Sequence, residues 1–203
     1  MSARGATAAI VLAGGASSRF GADKLAAELD GWPLLHHALA AVDEVATTIV
    51  LVLAPDADEP ALPALNARIL VAHDLATHQG PLAGLAAGLA ALEPGVERAL
   101  LVGGDMPSLV PDVLRLLLNA LDADAELAAA TLESEPTASL PMGVRPSIVG
   151  PAAGELLAEG RRALRGVLAR VPAAIVPAVA WRALDPDGRT LRDVDTRRDL
   201  FNR

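Results

Sequence analysis

Ala8-Ala9-Ile10-Val11-Leu12-Ala13-Gly14-Gly15-Ala16-Ser17-Ser18-Arg19-Phe20-Gly21-Ala22-Asp23-Lys24 is the stretch from which the rest of this 203-residue chain is read. Ala8–Ala13 is a short apolar run, the pattern of a buried strand. It stops at Gly14-Gly15, passes two hydroxyls, Arg19 and Gly21, and closes on Lys24. Glycines let backbone N–H groups come close to a ligand, and successive N–H groups form a concavity for anions. Arg19 and Lys24 add countercharge. The arrangement suits an anion with several oxygens, such as the triphosphate of a nucleotide.

Two other phosphate loops are excluded. A P-loop requires Lys directly after its second glycine, whereas Ala22 follows Gly21 and the glycine spacing is one residue too long. The dinucleotide fingerprint G-x-G-x-x-G is absent as well.

Working outward, hydrophobic residues make up 52% of the chain and charged ones 21%, a composition that builds a core and argues against disorder. Aromatics are only 2%, so Ala, Leu and Val must fill that core, with helices lying close on a sheet. The net charge of −8 argues against nucleic acid as the main partner. With no cysteine, disulfides, thiolate nucleophiles and Cys-based zinc or iron–sulfur sites are excluded. The first apolar run is too short for a signal peptide, and no stretch approaches the roughly 18 residues of a membrane span. The expectation is a cytoplasmic protein with no membrane partner. It is read as a single domain over residues 1–203. The sequence does not fix the oligomeric state, and a monomer is the working expectation.

Short apolar runs alternate with helical patterns. Strands are expected at Ala8–Ala13, Thr47–Ala54, Ala67–Ala72, Arg98–Val102 and Glu126–Thr131. Helices are expected at Pro33–Val45, Pro81–Leu92 and Pro111–Leu121. Alternation of this kind implies βαβ units and a mostly parallel sheet with helices on both faces, an α/β fold. Further on, Ser139–Val144 and Ala173–Val176 read as strands and Gly154–Ala169 as a helical region. The basic step Gly160-Arg161-Arg162 interrupts that region. It reads either as solvated helix surface or as a contact for a phosphorylated substrate.

In such sheets ligands sit beyond the carboxyl ends of the strands. Three segments should gather there: Gly14–Lys24, His73-Asp74 with Gln79-Gly80-Pro81, and Gly103-Gly104-Asp105-Met106-Pro107. Asp105 follows a buried run and a glycine pair, so its carboxylate should emerge at a strand end, as an Mg²⁺ ligand would. Asp193-Val194-Asp195 offers further carboxylates. In extended geometry Asp193 and Asp195 share a face while Val194 turns to the core, and Asp195 is the second candidate metal ligand. Asp193 could instead cap the short helix expected at Thr196. Asp74 could accept hydrogen bonds from a base or ribose, or close a turn. With no clustered partners for His36, His37 or His73, a zinc site is not expected.

Taken together, Leu12–Lys24, G-W-P-L-L-H-H at Gly31–His37, G-P-L-A-G-L at Gly80–Leu85, G-D-M-P at Gly104–Pro107 and D-V-D-T-R-R-D-L at Asp193–Leu200 resemble the molybdenum cofactor guanylyltransferases, MobA-like nucleotidyltransferases. The resemblance covers nearly the whole chain. It implies a Rossmann-like three-layer nucleotidyltransferase fold with a mostly parallel central sheet. It also implies transfer of GMP from GTP, with Mg²⁺, to the phosphate of a molybdopterin-type acceptor, with release of pyrophosphate. Carried over by motif, Leu12, Ala13, Gly14 and Gly15 would line the nucleotide site. Lys24 and Arg19 would meet its phosphates, Asp74 would contact the nucleoside, and Asp105 would bind both nucleotide and Mg²⁺.

Guanylyl-transferring relatives often carry N-x-N-T near the end, whereas Asp193-Val194-Asp195-Thr196 follows the cytidylyl-transferring branch. The L-A-G-G spelling of the first loop points back to guanine. A cytidylyltransferase acting on molybdenum cofactor, or another MobA-like NTP:phosphate nucleotidyltransferase, is therefore the runner-up reading, followed by a non-catalytic GTP-binding module.

Overall fold

The computed structural model describes residues 7–14, 24–74 and 80–200. The first apolar run forms strand β1, Thr7–Leu12. Ala9 and Val11 point into one core cluster and Ala8 and Ile10 into another, one on each side of the sheet. Burial on both faces explains why the strand reads as continuously apolar rather than alternating.

A hairpin of two short strands, β2 (Glu28–Leu29) and β3 (Trp32–Pro33), precedes helix α1, Leu34–Asp43. Strands β4 (Thr48–Leu53) and β5 (Arg68–His73) follow, then helix α2, Pro81–Ala90. Strand β6 (Arg98–Gly103) and helix α3 (Pro111–Ala123) complete the first half. The second half contains β7 (Ala129–Leu132), β8 (Met142–Val144), α4 (Pro146–Ala158), α5 (Arg165–Arg170), β9 (Ala173–Val176) and α6 (Ala178–Trp181).

Seven strands make one sheet in the order β5-β4-β1-β6-β8-β7-β9. Every pairing is parallel except those of β8, which runs against β6 and β7. Helices α1 and α3 pack with the core cluster of Ala9 and Val11, while α2 and α4 pack with that of Ala8 and Ile10. The three-layer α/β arrangement expected from the alternation is thus present.

The chain leaves β1 toward β4 and β5 and returns to β6 on the other side of β1. The strand order therefore reverses between β1 and β6, the switch point at which such sheets open a crevice. Register places Leu12 opposite Gly103 at that point.

Three expectations need correction. The β2–β3 hairpin was not anticipated, because two-residue strands carry no periodicity. The helical region expected at Gly154–Ala169 begins eight residues earlier, at Pro146, and breaks into α4 and α5 around Gly160. The short helix expected at Thr196 does not form, since residues 196–200 make a bend and turns, and residues 192–195 are not strand.

Candidate active site at the ends of β1 and β6

Beyond β1, Ala13 donates its N–H to the Val52 carbonyl at 2.7 Å, which carries the chain along the end of β4 to Gly14. Beyond β5, the Asp74 N–H reaches the Leu53 carbonyl at 2.9 Å, so Asp74 extends the same rim. Beyond β6, the Gly104 N–H donates to the Leu12 carbonyl at 2.9 Å. The described parts of the segments expected at the carboxyl ends, among them Gly14, Lys24, Asp74 and Gly104-Asp105, lie along this rim. Gly15 and Arg19 lie outside the described residues, as does Gln79.

The glycine pair before Asp105 has a steric cause. A Cβ built on Gly103 would stand 2.4 Å from Asp105 Oδ1, so the carboxylate folds back over a position that must lack a side chain. Leu35, Leu25 and the Leu12 carbonyl close around Gly104 in the same way. Two glycines thereby let the aspartate emerge tightly against the strand end.

From the other side, the C-terminal segment is pinned by the Val194 N–H, which donates to the Asp105 carbonyl at 3.0 Å. Val194 is buried against Leu34 of α1, while Asp193 and Asp195 are exposed. The alternation expected for this triplet holds without a strand to impose it. Asp199, which sequence reasoning missed, organises the segment. Its Oδ2 accepts the N–H groups of Asp195 and Thr196 and the Thr196 hydroxyl, at 3.1, 2.6 and 2.9 Å. Asp199 therefore braces a turn, and Asp193 has no helix to cap. These three hydrogen bonds hold the Asp199 carboxyl below its ordinary pKa.

Lys24 draws the site together. Its Nζ donates to Asp105 Oδ2 at 2.9 Å and to Asp195 Oδ1 at 3.0 Å, with the lysine side chain only 12% exposed. Burial alone would lower the lysine pKa, but the two carboxylates outweigh it and hold the ammonium above its ordinary value. Asp193 stands nearby without touching the lysine. Partial desolvation, then repulsion from Asp195 and Asp105, pushes its pKa up. Three carboxylates around one ammonium leave a surplus of negative charge built from hard oxygen donors. That donor chemistry fits Mg²⁺ together with phosphate oxygens. Among the described residues no group of three or more His, Cys, Asp or Glu could by itself hold a metal ion. A metal here would therefore share its coordination with substrate.

The histidines have other duties. His36, His37 and His73 donate to the carbonyls of Ala61, Leu29 and Ala54 at 2.9, 2.8 and 2.9 Å. Beyond Asp193 a cleft of about 1140 Å³ opens. Its charged lining is mainly Asp30, Asp187, Asp193 and Asp199 against Arg189 and Arg192. Among the described residues no helix is long and apolar enough to cross a membrane.

Comparison with known proteins identifies a family and a fold. The model of the MobA-like NTP transferase domain family matches residues 9–176. A protein of Chloroflexus aggregans named "Probable molybdenum cofactor guanylyltransferase" is 30% identical over 195 residues, 94% of this chain and 90% of its own length. One of the same name from Mycobacterium avium is 31% identical over 95% of this chain and 92% of its own length. A third, from Pyrococcus horikoshii, is 32% identical, but the match spans 59% of each protein. Among solved structures, molybdopterin-guanine dinucleotide biosynthesis protein A from Archaeoglobus fulgidus superposes with a TM-score of 0.75 at 21% identity, covering 96% of this chain and 95% of that one. That last likeness concerns the fold.

Proposed function

The chain belongs to the MobA-like NTP transferase family, and from that membership we propose that it transfers GMP from GTP to the phosphate of a molybdopterin-type acceptor. The observation that carries this reading is the convergence of Lys24 with Asp105 and Asp195 at the switch point between β1 and β6. The names of the relatives supply the base and the acceptor.

In the proposed reaction an oxygen of the acceptor phosphate attacks the α-phosphorus of GTP. A new P–O–P linkage forms, the bond from the α-phosphorus to the oxygen bridging to the β-phosphate breaks, and its electron pair leaves with pyrophosphate. The acceptor is already an anion, so no protein nucleophile or base is required. The protein's share is positioning and charge stabilisation. Leu12, Ala13, Gly14 and Gly15 line the nucleotide, Asp74 meets the nucleoside, and Lys24 and Arg19 bind phosphate oxygens. Asp105 and Asp195 would hold Mg²⁺, which when bound neutralises phosphate charge and lines up the reacting groups. The proposed compartment is the cytoplasm, in keeping with a chain that has no cysteine.

Guanine is the proposed base although Asp193-Val194-Asp195 follows the cytidylyl branch. Guanine presents an N1–H and an exocyclic amine together, a donor pair that carbonyls or Asp74 can accept and that cytosine lacks. A site built for those donors rejects the other bases because its acceptors would stay unpaired. Pyrophosphate release, measured with each of the four NTPs, Mg²⁺ and molybdenum-bound molybdopterin, tests the reading. GTP should turn over fastest, and chelating the metal should stop the reaction. Faster turnover with CTP would reassign the base, and no release with any NTP would reject a transferase.

A further inference from the structure

The segment that carries Asp195 to Lys24 lies outside the sheet, so no ladder of hydrogen bonds sets its register. Register matters here, because Asp193, Val194 and Asp195 alternate and Asp195 is the one that pairs with the lysine. A slip of one residue would bury a carboxylate in place of Val194, and a slip of two would offer Asp193 to the lysine instead. One contact with the β6–α3 loop is the Val194 N–H on the Asp105 carbonyl at 3.0 Å. That bond joins main chain to main chain, and any residue but proline could make it.

A second contact belongs to one side chain alone. The Thr190 hydroxyl oxygen accepts the Val110 N–H at 3.1 Å, just before α3 begins. Thr190 is itself held by Asp185, whose Oδ2 accepts the Thr190 N–H at 2.7 Å. Both residues are fully buried. Asp185 opens the turn Asp185-Pro186-Asp187-Gly188, in which the Gly188 N–H returns to the Asp185 carbonyl at 3.0 Å and Gly188 takes a φ of 64°. Asp first, Pro second and Gly fourth are the residues such a turn favours. The turn rests on the buried indole of Trp181, since a Cβ on Gly188 would lie 3.6 Å from Trp181 Cη2. From it the 3₁₀ turn Arg189–Leu191 presents Thr190 to Val110.

Burial alone would raise the Asp185 pKa, but the hydrogen bonds from Thr190, with Arg189 Nε 3.5 Å from Oδ1, outweigh it and hold the carboxyl below its ordinary value. Its bond to the Thr190 N–H is therefore charge-assisted and strong. A buried carboxylate is costly to hold against a well-packed apolar residue. What it supplies here is a fixed place for Thr190.

We propose that Asp185 and Thr190 are positioning residues that fix the register in which Asp195, rather than Asp193, meets Lys24 and the divalent cation. The role rests on the transfer reaction and the metal ligands proposed above. Anchored at Val110 and again at Asp105, the segment crosses the β6–α3 loop at two points, and two points set a register where one does not. Neither residue touches the reacting groups. They act through Asp195.

The test is Thr190→Val, which keeps the shape and removes the oxygen that accepts from Val110. Amide hydrogen exchange, measured without nucleotide or metal, should quicken at Val110 and also at Val194, while β1 keeps its protection. In pyrophosphate release from GTP, the Mg²⁺ concentration giving half-maximal rate should rise roughly 3- to 10-fold, the scale of one lost hydrogen bond. KM for GTP at saturating Mg²⁺ should stay within about twofold, and Thr190→Ser should restore both readouts. Asp195→Asn raises the Mg²⁺ requirement by itself, and adding Thr190→Val to it should raise it no further, because both act through one carboxylate. Asp185→Asn should shift the requirement in the same direction by less, and it carries the test if Thr190→Val does not fold. An unchanged Mg²⁺ requirement overturns the role. Faster exchange confined to Val110 also overturns it, as does an effect of Thr190→Val that persists undiminished beside Asp195→Asn. If the unsubstituted protein releases no pyrophosphate with any NTP, the proposed function falls first, before any variant is made, and the positioning role falls with it.

Discussion

Lys24 is the residue on which the site's electrostatics turn. Its ammonium lies between two carboxylates and is largely shielded from water, so each contact is stronger than its equivalent on open surface. Beside it, Gly103 sets where Asp105 can stand. Gly103→Ala would put a methyl group 2.4 Å from Asp105 Oδ1, closer than the two atoms can approach. The nearest obstacle is the end of a flexible side chain, so the carboxylate moves and the strand stays. We expect a folded protein whose thermal midpoint shifts little and whose turnover falls at least tenfold, about 1.4 kcal/mol in transition-state stabilisation. Steady-state pyrophosphate release beside a melting curve checks this. Full activity in a folded Gly103→Ala would mean that the position of this carboxylate does not matter to the chemistry.

Elements were legible in the sequence wherever burial imposed a pattern. β1, β4 and β6 are apolar throughout because helices cover both faces, and each lies within a residue or two of its expected span. α2 and α3 begin at Pro81 and Pro111, residues suited to a first helical turn. The reversed direction of β8 was not legible, since three apolar residues look alike in either orientation. Nor was the start of α4, where Gly150 and Pro151 read as breakers although the helix passes through them. In the site, Asp105 was found from its strand end and Asp195 from alternation with Val194. Asp199 was missed because a carboxylate that accepts backbone N–H groups leaves no periodic trace. Arg145 was missed for a related reason. Its guanidinium reaches the carbonyls of Leu121, in the last turn of α3, and Leu127, tying that helix end to the start of α4. Arg145→Met keeps the stem and removes the donors, leaving two carbonyls without their charged partner. It should lower unfolding free energy by about 1.5–3 kcal/mol, read by urea denaturation with an unchanged m-value. A loss under 0.5 kcal/mol would show that water replaces the guanidinium at about no cost.

At the scale of the whole molecule, one carboxylate joins the end of α1 to the start of β5. Asp43 Oδ1 accepts the Ala67 N–H at 2.6 Å, and Oδ2 accepts the Asn66 N–H and side-chain amide at 3.1 and 3.0 Å. Burial would push the Asp43 pKa up, and the C-terminal end of a helix also disfavours an anion. The hydrogen bonds from Ala67 and Asn66 nevertheless prevail and hold it below its ordinary value. A carboxyl whose pKa is depressed on folding contributes stability above its unfolded pKa, and that contribution is lost as pH falls through the folded one. Stability should therefore hold from neutral pH down to roughly 4, the ordinary Asp range, and decline below it as Asp43 takes a proton. Asp43→Asn separates this carboxyl from the others. Its amide can still accept from Ala67 with one atom, but the other presents N–H toward the N–H groups of Asn66. The variant should be less stable than the unsubstituted protein at pH 7, with the gap narrowing as pH drops below about 4. Denaturant midpoints for both proteins between pH 7 and pH 3 decide it, and a gap that stays constant across that range would mean that the charge on Asp43 contributes nothing to joining the helix to the sheet.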